Sequence, residues 1–184
     1  DGMNSYEQNI LQDLKQWQHE MQRSPSLTDR LTRNIQGRIN RVVPEKIHNA
    51  ITTAIRQMIK AMLFGAEYTN PKIVQDENLQ NREIRILERI RFYRNAAATE
   101  GAITGAGGIL MGLADFPLWL TLKMKMLCEI AALYGFDVSD YKERIFILHV
   151  FQITFSSQQQ RQNLYLMLDN WDIYKEQLPD DINK

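Results

Sequence analysis

One cysteine in 184 residues leaves no partner for an internal disulfide, so covalent cross-links cannot hold this fold together. Cys128 has apolar neighbours at helical spacing, which predicts a small buried hydrophobe in a reducing compartment rather than a catalytic thiol. The three histidines, His19, His48 and His149, stand far apart. None has another histidine, a cysteine or a carboxylate at ligand spacing, so neither a metal nor a cofactor is expected. Ser156-Ser157 lacks the glycine elbow of a hydrolase nucleophile, and no catalytic residue is assigned. Charge of one sign is also lacking overall: 22 Lys and Arg balance 22 Asp and Glu. That argues against a general polyanion binder. Strand-like alternation is almost absent, which leaves an all-α chain. No basic-then-apolar leader opens the sequence, so a cytoplasmic protein is expected, peripheral to the inner face of the cell membrane if it is membrane-associated.

What the sequence does have is apolar residues at three- and four-residue spacing. Ile10, Leu11, Leu14, Trp17 and Met21 predict a first helix that ends before Pro25. Ser26 or Thr28 can cap a second, with Leu27, Leu31, Ile35 and Ile39 on one side. Pro44 suits the first turn of a third, where Ile47, Ile51, Ala54, Ile55, Met58, Ile59, Met62 and Leu63 form a wide stripe ending at Gly65 or at Thr69-Asn70-Pro71. Residues 70–80 read as a loop. A fourth helix from Gln80 to Ala98 should turn Ile84, Leu87, Ile90 and Tyr93 inward. Beyond Pro117 a helix runs through Trp119, Leu122, Met126, Ile130 and Leu133 and stops at Gly135, a good left-handed terminator. Ser139 or Asp140 caps the next, Ser156-Ser157 breaks it, and a last helix spans Gln159 to Tyr174. These elements predict an irregular all-α bundle of about seven helices around a glycine-rich apolar helix. Asp1-Gly2 reads as a cloning remnant, and 3–184 as one helical domain.

The unusual physics lies between Gly101 and Leu122, GAITGAGGILMGLADFPLWLTL. Five of the nine glycines fall between Gly101 and Gly112. Each costs about 1 kcal/mol against alanine inside a helix, and close approach of another backbone, lipid or ligand is the usual compensation. Gly101, Gly105, Gly108 and Gly112 fall at small-xxx-small spacing and would floor a groove. Neither a phosphate-binding loop nor a dinucleotide fingerprint fits, because no strand precedes the glycines and no Lys-Ser or Lys-Thr pair follows. Asp115 is the only ionisable residue in the stretch. At a bilayer centre it would cost about 2.5–3.5 kcal/mol, which disfavours a stable membrane span. Asp115 can be an N-cap ahead of Phe116-Pro117, or a polar anchor beside Phe116 and Trp119, with Lys123 and Glu100 as nearest partners.

Charge is uneven along the chain. Residues 23–60 hold eight Lys and Arg against Asp29 and Glu45, a balance of +6, whereas residues 137–184 carry −3. The basic segment is either a solvated helix face or a contact for anions or a membrane, with Arg30, Arg33, Arg38 and Arg41 at its centre. Aromatics are not interleaved with these bases, so nucleic acid is not an expected partner.

Gly101-Ala-Ile-Thr-Gly-Ala-Gly-Gly, then Leu113-Ala-Asp-Phe-Pro and Ala131-Ala-Leu-Tyr-Gly-Phe-Asp137, resemble the EcsC family over residues 40–175, most specifically 95–137. The positions carrying the resemblance are Gly101, Gly105, Gly108, Asp115, Pro117, Tyr134, Gly135 and Asp137. The family takes its name from a bacterial gene beside those of an ABC exporter, and its members have no agreed activity. The resemblance implies a helical, cytoplasmic, membrane-associated protein and carries over no residue role. Family members usually continue into a second apolar stretch rich in proline and glycine. Its absence here reads as C-terminal truncation or as loss of that stretch, and either would leave an apolar surface open to self-association. The expected function is therefore that of a non-enzymatic accessory or interaction protein, its partners a membrane surface, a membrane protein or a second copy. An enzyme or small-ligand protein anchored on Asp115 is the alternative.

Overall fold

The structure, a computed structural model, describes residues 2–23, 45–65, 71–104 and 114–180, with backbone alone for 100–104. Every regular element among the described residues is an α-helix: α1 Ser5–Gln22, α2 Glu45–Phe64, α3 Leu79–Thr104, α4 Phe116–Leu133, α5 Tyr141–Phe155, α6 Gln158–Asp169 and α7 Trp171–Lys175. The all-α reading holds. The helix expected between Ser26 and Ile39 lies outside the described residues, as do the glycines from Gly105 to Gly112. The chain divides into two compact units, one of Asp1–Val42 with Leu148–Pro179, the other of Val43–Ile147 with Asp180–Lys184. The division falls inside α5.

The second unit is built on α4, which packs against both α2 and α3. From α4, Leu120, Met124, Cys128 and Ala132 recur every four residues and are all but fully buried. Ala54, Met58 and Met62 of α2 and Ile86 and Tyr93 of α3 complete that core with Leu133, Val138 and Ile147. Full burial of a side chain such as Met62 or Met124 is worth about 1.5–3 kcal/mol, so this layer dominates the unit's stability. Cys128 Sγ lies 3.9 Å from Met62 Sδ, and burial pushes its thiol up to about 12. The expectation of a buried cysteine is met.

Two glycines end helices in the left-handed region. Gly65, at φ 72°, follows α2 and donates to Ala61 O at 3.0 Å. Gly135, at φ 94°, sits just beyond α4, where Gly135 N donates to Ala132 O and Phe136 N to Ala131 O, both at 3.0 Å. That pair is a Schellman closure, as the sequence predicts for Gly135. Ala132 O also accepts from Val74 N at 3.1 Å, which ties segment 71–78 to the end of α4. Arg144, only 7% exposed, fastens a second joint. It donates to Leu63 O at the end of α2 and to Val138 O and Ser139 O before α5.

Two expectations need correction here. In α3, Ile84 and Leu87 face out, 49% and 52% exposed, and the buried residues are Ile86 and Tyr93. The helix has apolar residues on both faces, so spacing alone could not choose between them. The last helix is not continuous. Asn170 leaves helical geometry at φ −109°, ψ 32°, and its own Nδ2 donates to Leu166 O at 2.8 Å, separating α6 from α7.

In the first unit, α1 packs along α6 and α6 meets α7. Asn4 and Glu7 form a reciprocal capping box at the start of α1, and Ser157 and Gln160 do the same for α6, where the sequence has Ser156-Ser157 as a break. Trp17 of α1 meets Tyr165 of α6 edge-to-face, ring centres 5.8 Å apart.

Candidate functional site

Glu129 is the only acid in α4, a helix that otherwise carries just two lysines among apolar and small residues. A carboxylate so placed needs a partner, and α3 supplies two. Arg89 donates Nε to Oε2 at 2.5 Å and Nη2 to Oε1 at 3.0 Å, and the Tyr93 hydroxyl donates to Oε1 at 2.6 Å. Arg89 and Tyr93 are four residues apart, so both reach α4 from one side of α3. The guanidinium also lies over the Phe92 ring, 4.5 Å from its centre, and 5.3 Å from that of Tyr93.

The electrostatics follow from that geometry. Burial opposes ionisation of Glu129, but the hydrogen bonds from Arg89 and Tyr93 outweigh it and hold the carboxyl below its ordinary value. Burial, then the bond to Glu129, pushes the Tyr93 phenol up to about 12. Glu129 raises Arg89 further. A carboxylate gripped on both oxygens is a poor proton acceptor, so this triad is a clamp between two helices rather than an acid–base centre.

Beside the clamp opens a cleft of about 300 Å³, lined by Pro71, Lys72, Arg85, Glu88, Arg89, Glu129 and Leu133. Segment 71–78 forms its third wall. Arg82 holds that wall down, donating to Tyr134 O at 2.9 Å and to Glu77 O at 3.3 Å. Glu77 in turn accepts from Arg85 Nη1 at 3.1 Å.

The described residues that the sequence singles out lie elsewhere. Gly101 is part of the α3 backbone. Gly105, Gly108, Gly112, Arg30, Arg33, Arg38 and Arg41 lie outside the described residues. Asp115 stands at the N-cap position of α4, where its carbonyl accepts from Trp119 N at 2.9 Å, but its side chain makes no capping bond. Instead Asp115 Oδ2 is buried without a hydrogen-bond partner among the described residues. The capping reading is thus right in place and wrong in mechanism: the residue sits in helical geometry, φ −89° and ψ −10°, rather than the extended geometry that aims a cap at the helix N–H groups. Phe116 and Trp119 stack on each other at 5.9 Å, and Lys123 lies over the Trp119 ring at 5.6 Å. None of Asp115, Phe116, Trp119 and Lys123 lines the cleft. The clamp was missed because Arg89 reads as one more surface charge on α3. A lone glutamate in an apolar helix was the available signal.

Among the described residues, an all-helical fold with an interhelical polar clamp beside a small cleft defines the class, a helical protein. Its relatives say which one. The model of the EcsC protein family matches residues 8–184, and the chain belongs to that family. It is 37% identical to Protein EcsC of Bacillus subtilis strain 168 over 92% of this chain and 72% of that protein. It is 28% identical to the uncharacterized protein YdbA of the same strain, over 78% of this chain and 60% of that one. The match extends well beyond residues 40–175, where the sequence motifs lie. No solved structure gives a significant match.

Proposed function

We propose that this protein is a non-catalytic accessory protein that docks on an anionic membrane surface through the outward face of α3. The observation that carries the reading is that face itself. Ile84 and Leu87 are each about half exposed and turned away from the buried Ile86 and Tyr93, and Phe92, also about half exposed, flanks them under the Arg89 guanidinium. Arg91 and Arg94, both exposed, lie among them and make no ion pair with the described residues. Apolar side chains set among unpaired arginines suit the boundary between lipid head groups and acyl chains. The basic balance of residues 23–60 adds attraction of the same sign. No helix among the described residues is long and apolar enough to cross a membrane, and contact by a helix face requires none. The buried Cys128 thiol and the clamped Glu129 support a non-catalytic role, because each is held away from reactive chemistry.

Flotation with vesicles of phosphatidylglycerol and phosphatidylcholine, against phosphatidylcholine alone, tests the reading. Retention is expected on the anionic vesicles, weakened by salt and lost in Leu87→Glu and Arg91→Glu. If the protein floats with neither vesicle type, membrane docking is wrong.

Asp115 keeps a second reading in play. A buried carboxylate oxygen without a partner is the feature expected of a polar anchor awaiting a ligand. That reading requires a small molecule whose binding is abolished in Asp115→Asn, and a screen in which both proteins give the same hits would remove it.

A further inference from the structure

The geometry points to the cleft between α3, α4 and segment 71–78 as a binding site for a small zwitterion that carries a phosphate and a primary amine. This extends the membrane-docking reading by naming a head group, although the cleft's chemistry stands on its own residues. Five of its seven lining side chains are charged, three positive and two negative. Arg89 and Glu129 neutralise each other, which removes one of each sign. Lys72 remains exposed and makes no ion pair with the described residues. Arg85 spends a single Nη1 bond on Glu77 and is half exposed, so its other donors stay free. Glu88 is exposed and likewise without an ion pair.

Two cations with spare donors call for an anion with several oxygens, and phosphate uses them better than a carboxylate does. A bare anion, however, would meet Glu88, which has no ion pair with the described residues, at close range. An ammonium group on the same ligand turns that repulsion into attraction. Size narrows the choice. About 300 Å³ lies at the small end for ligand sites and suits a compact ligand. The form of the amine follows from the walls. No aromatic ring lines the cleft, so the cage that favours a quaternary ammonium is missing, whereas Glu88 can accept from N–H donors. Ethanolamine-type ligands should therefore be preferred over choline-type ones.

The test is titration of the protein with O-phosphoethanolamine, phosphocholine, glycerol phosphate and inorganic phosphate, followed by calorimetry or by NMR shifts. Phosphoethanolamine should bind best, and Lys72→Ala or Arg85→Ala should weaken it about tenfold. Glu88→Gln should erase its advantage over glycerol phosphate. Thermal melting shows that each variant is folded. In a second arm, vesicles of phosphatidylethanolamine with phosphatidylcholine in equal parts are compared with phosphatidylcholine alone, neither carrying net charge. Binding of the free compound without an ethanolamine preference on vesicles would place the source in solution and leave the cleft assignment standing. Retention on anionic vesicles that Lys72→Ala does not change, with no binding of phosphoethanolamine, would overturn the cleft assignment and spare the docking face. Equal binding of all four compounds would also overturn it.

Discussion

Arg89 grips both carboxylate oxygens of Glu129, with contacts of 2.5 and 3.0 Å, and so joins α3 to α4 at the edge of the cleft. Each side chain is about a third exposed, so water screens the pair and its worth is modest. Glu129→Ala is expected to cost about 1–2 kcal/mol, read from urea midpoints, because a bidentate charge-assisted contact and the Tyr93 bond are lost together. The carboxyl is held below its ordinary value in the folded protein. The stability it supplies is therefore present above the unfolded carboxylate range and disappears as pH falls through the lowered folded value. Wild type and Glu129→Ala should differ at neutral pH and converge in acid. A constant gap across that range would mean that the loss comes from packing.

Arg144 carries a heavier structural burden, since it is almost fully buried and donates to three carbonyls on two segments. Arg144→Met removes those donors without opening a large void. The carbonyls of Leu63, Val138 and Ser139 then lose their partner, at an expected cost of about 2–4 kcal/mol. Arg144→Lys keeps the charge but not the fork, so it should fall between the two. If methionine is tolerated as well as lysine, the arginine is not what fastens α2 to the turn before α5.

These two residues mark what was legible in the sequence and what was not. Helices could be placed from apolar spacing and their ends from Gly65, Gly135, Asp140 and Ser157, because those signals are local. Asp140, for example, accepts from Lys142 N at 2.9 Å, the contact its position before α5 implies. Arg89–Glu129 spans 40 residues and Arg144–Leu63 spans 81. Partnerships at that distance depend on which faces of the helices meet. In α3 that choice was open: Ile84 and Leu87 keep the same period as Ile86 and Tyr93, and only packing against α4 decided between them. The glycines, the loudest feature of the sequence, fall outside the described residues from Gly105 onward.

Asp115 separates a stabilising role from a binding one. Its side chain makes no cap bond, and Oδ2 is buried without a partner among the described residues. An ordinary N-cap substitution costs about 1 kcal/mol, but here there is no such bond to lose. Asp115→Asn should therefore leave the urea midpoint unchanged, since it keeps the side chain's shape and removes no cap bond. A loss near the ordinary capping value would show that the carboxylate engages the helix end in solution after all.

His149 makes the protein's stability depend on mild acid. Its ring meets those of Trp171 and Tyr174, each 6.3 Å away between centres, and Nδ1 pairs with Gln152 Oε1 at 3.2 Å. Burial disfavours the imidazolium and lowers its pKa below the ordinary 6.5, more than the Gln152 contact raises it. The unfolded chain consequently takes up this proton before the folded one does. Stability is highest above the ordinary histidine value, falls as pH drops through it, and levels off once the folded value is passed. His149→Phe keeps a ring against Trp171 and Tyr174 but cannot titrate. Its melting temperature, measured from neutral to mildly acidic pH, should decline less steeply than that of wild type. His19 and His48 are common to both proteins, so the difference in slope belongs to His149 alone, and parallel curves would show that the ring is free to protonate in place.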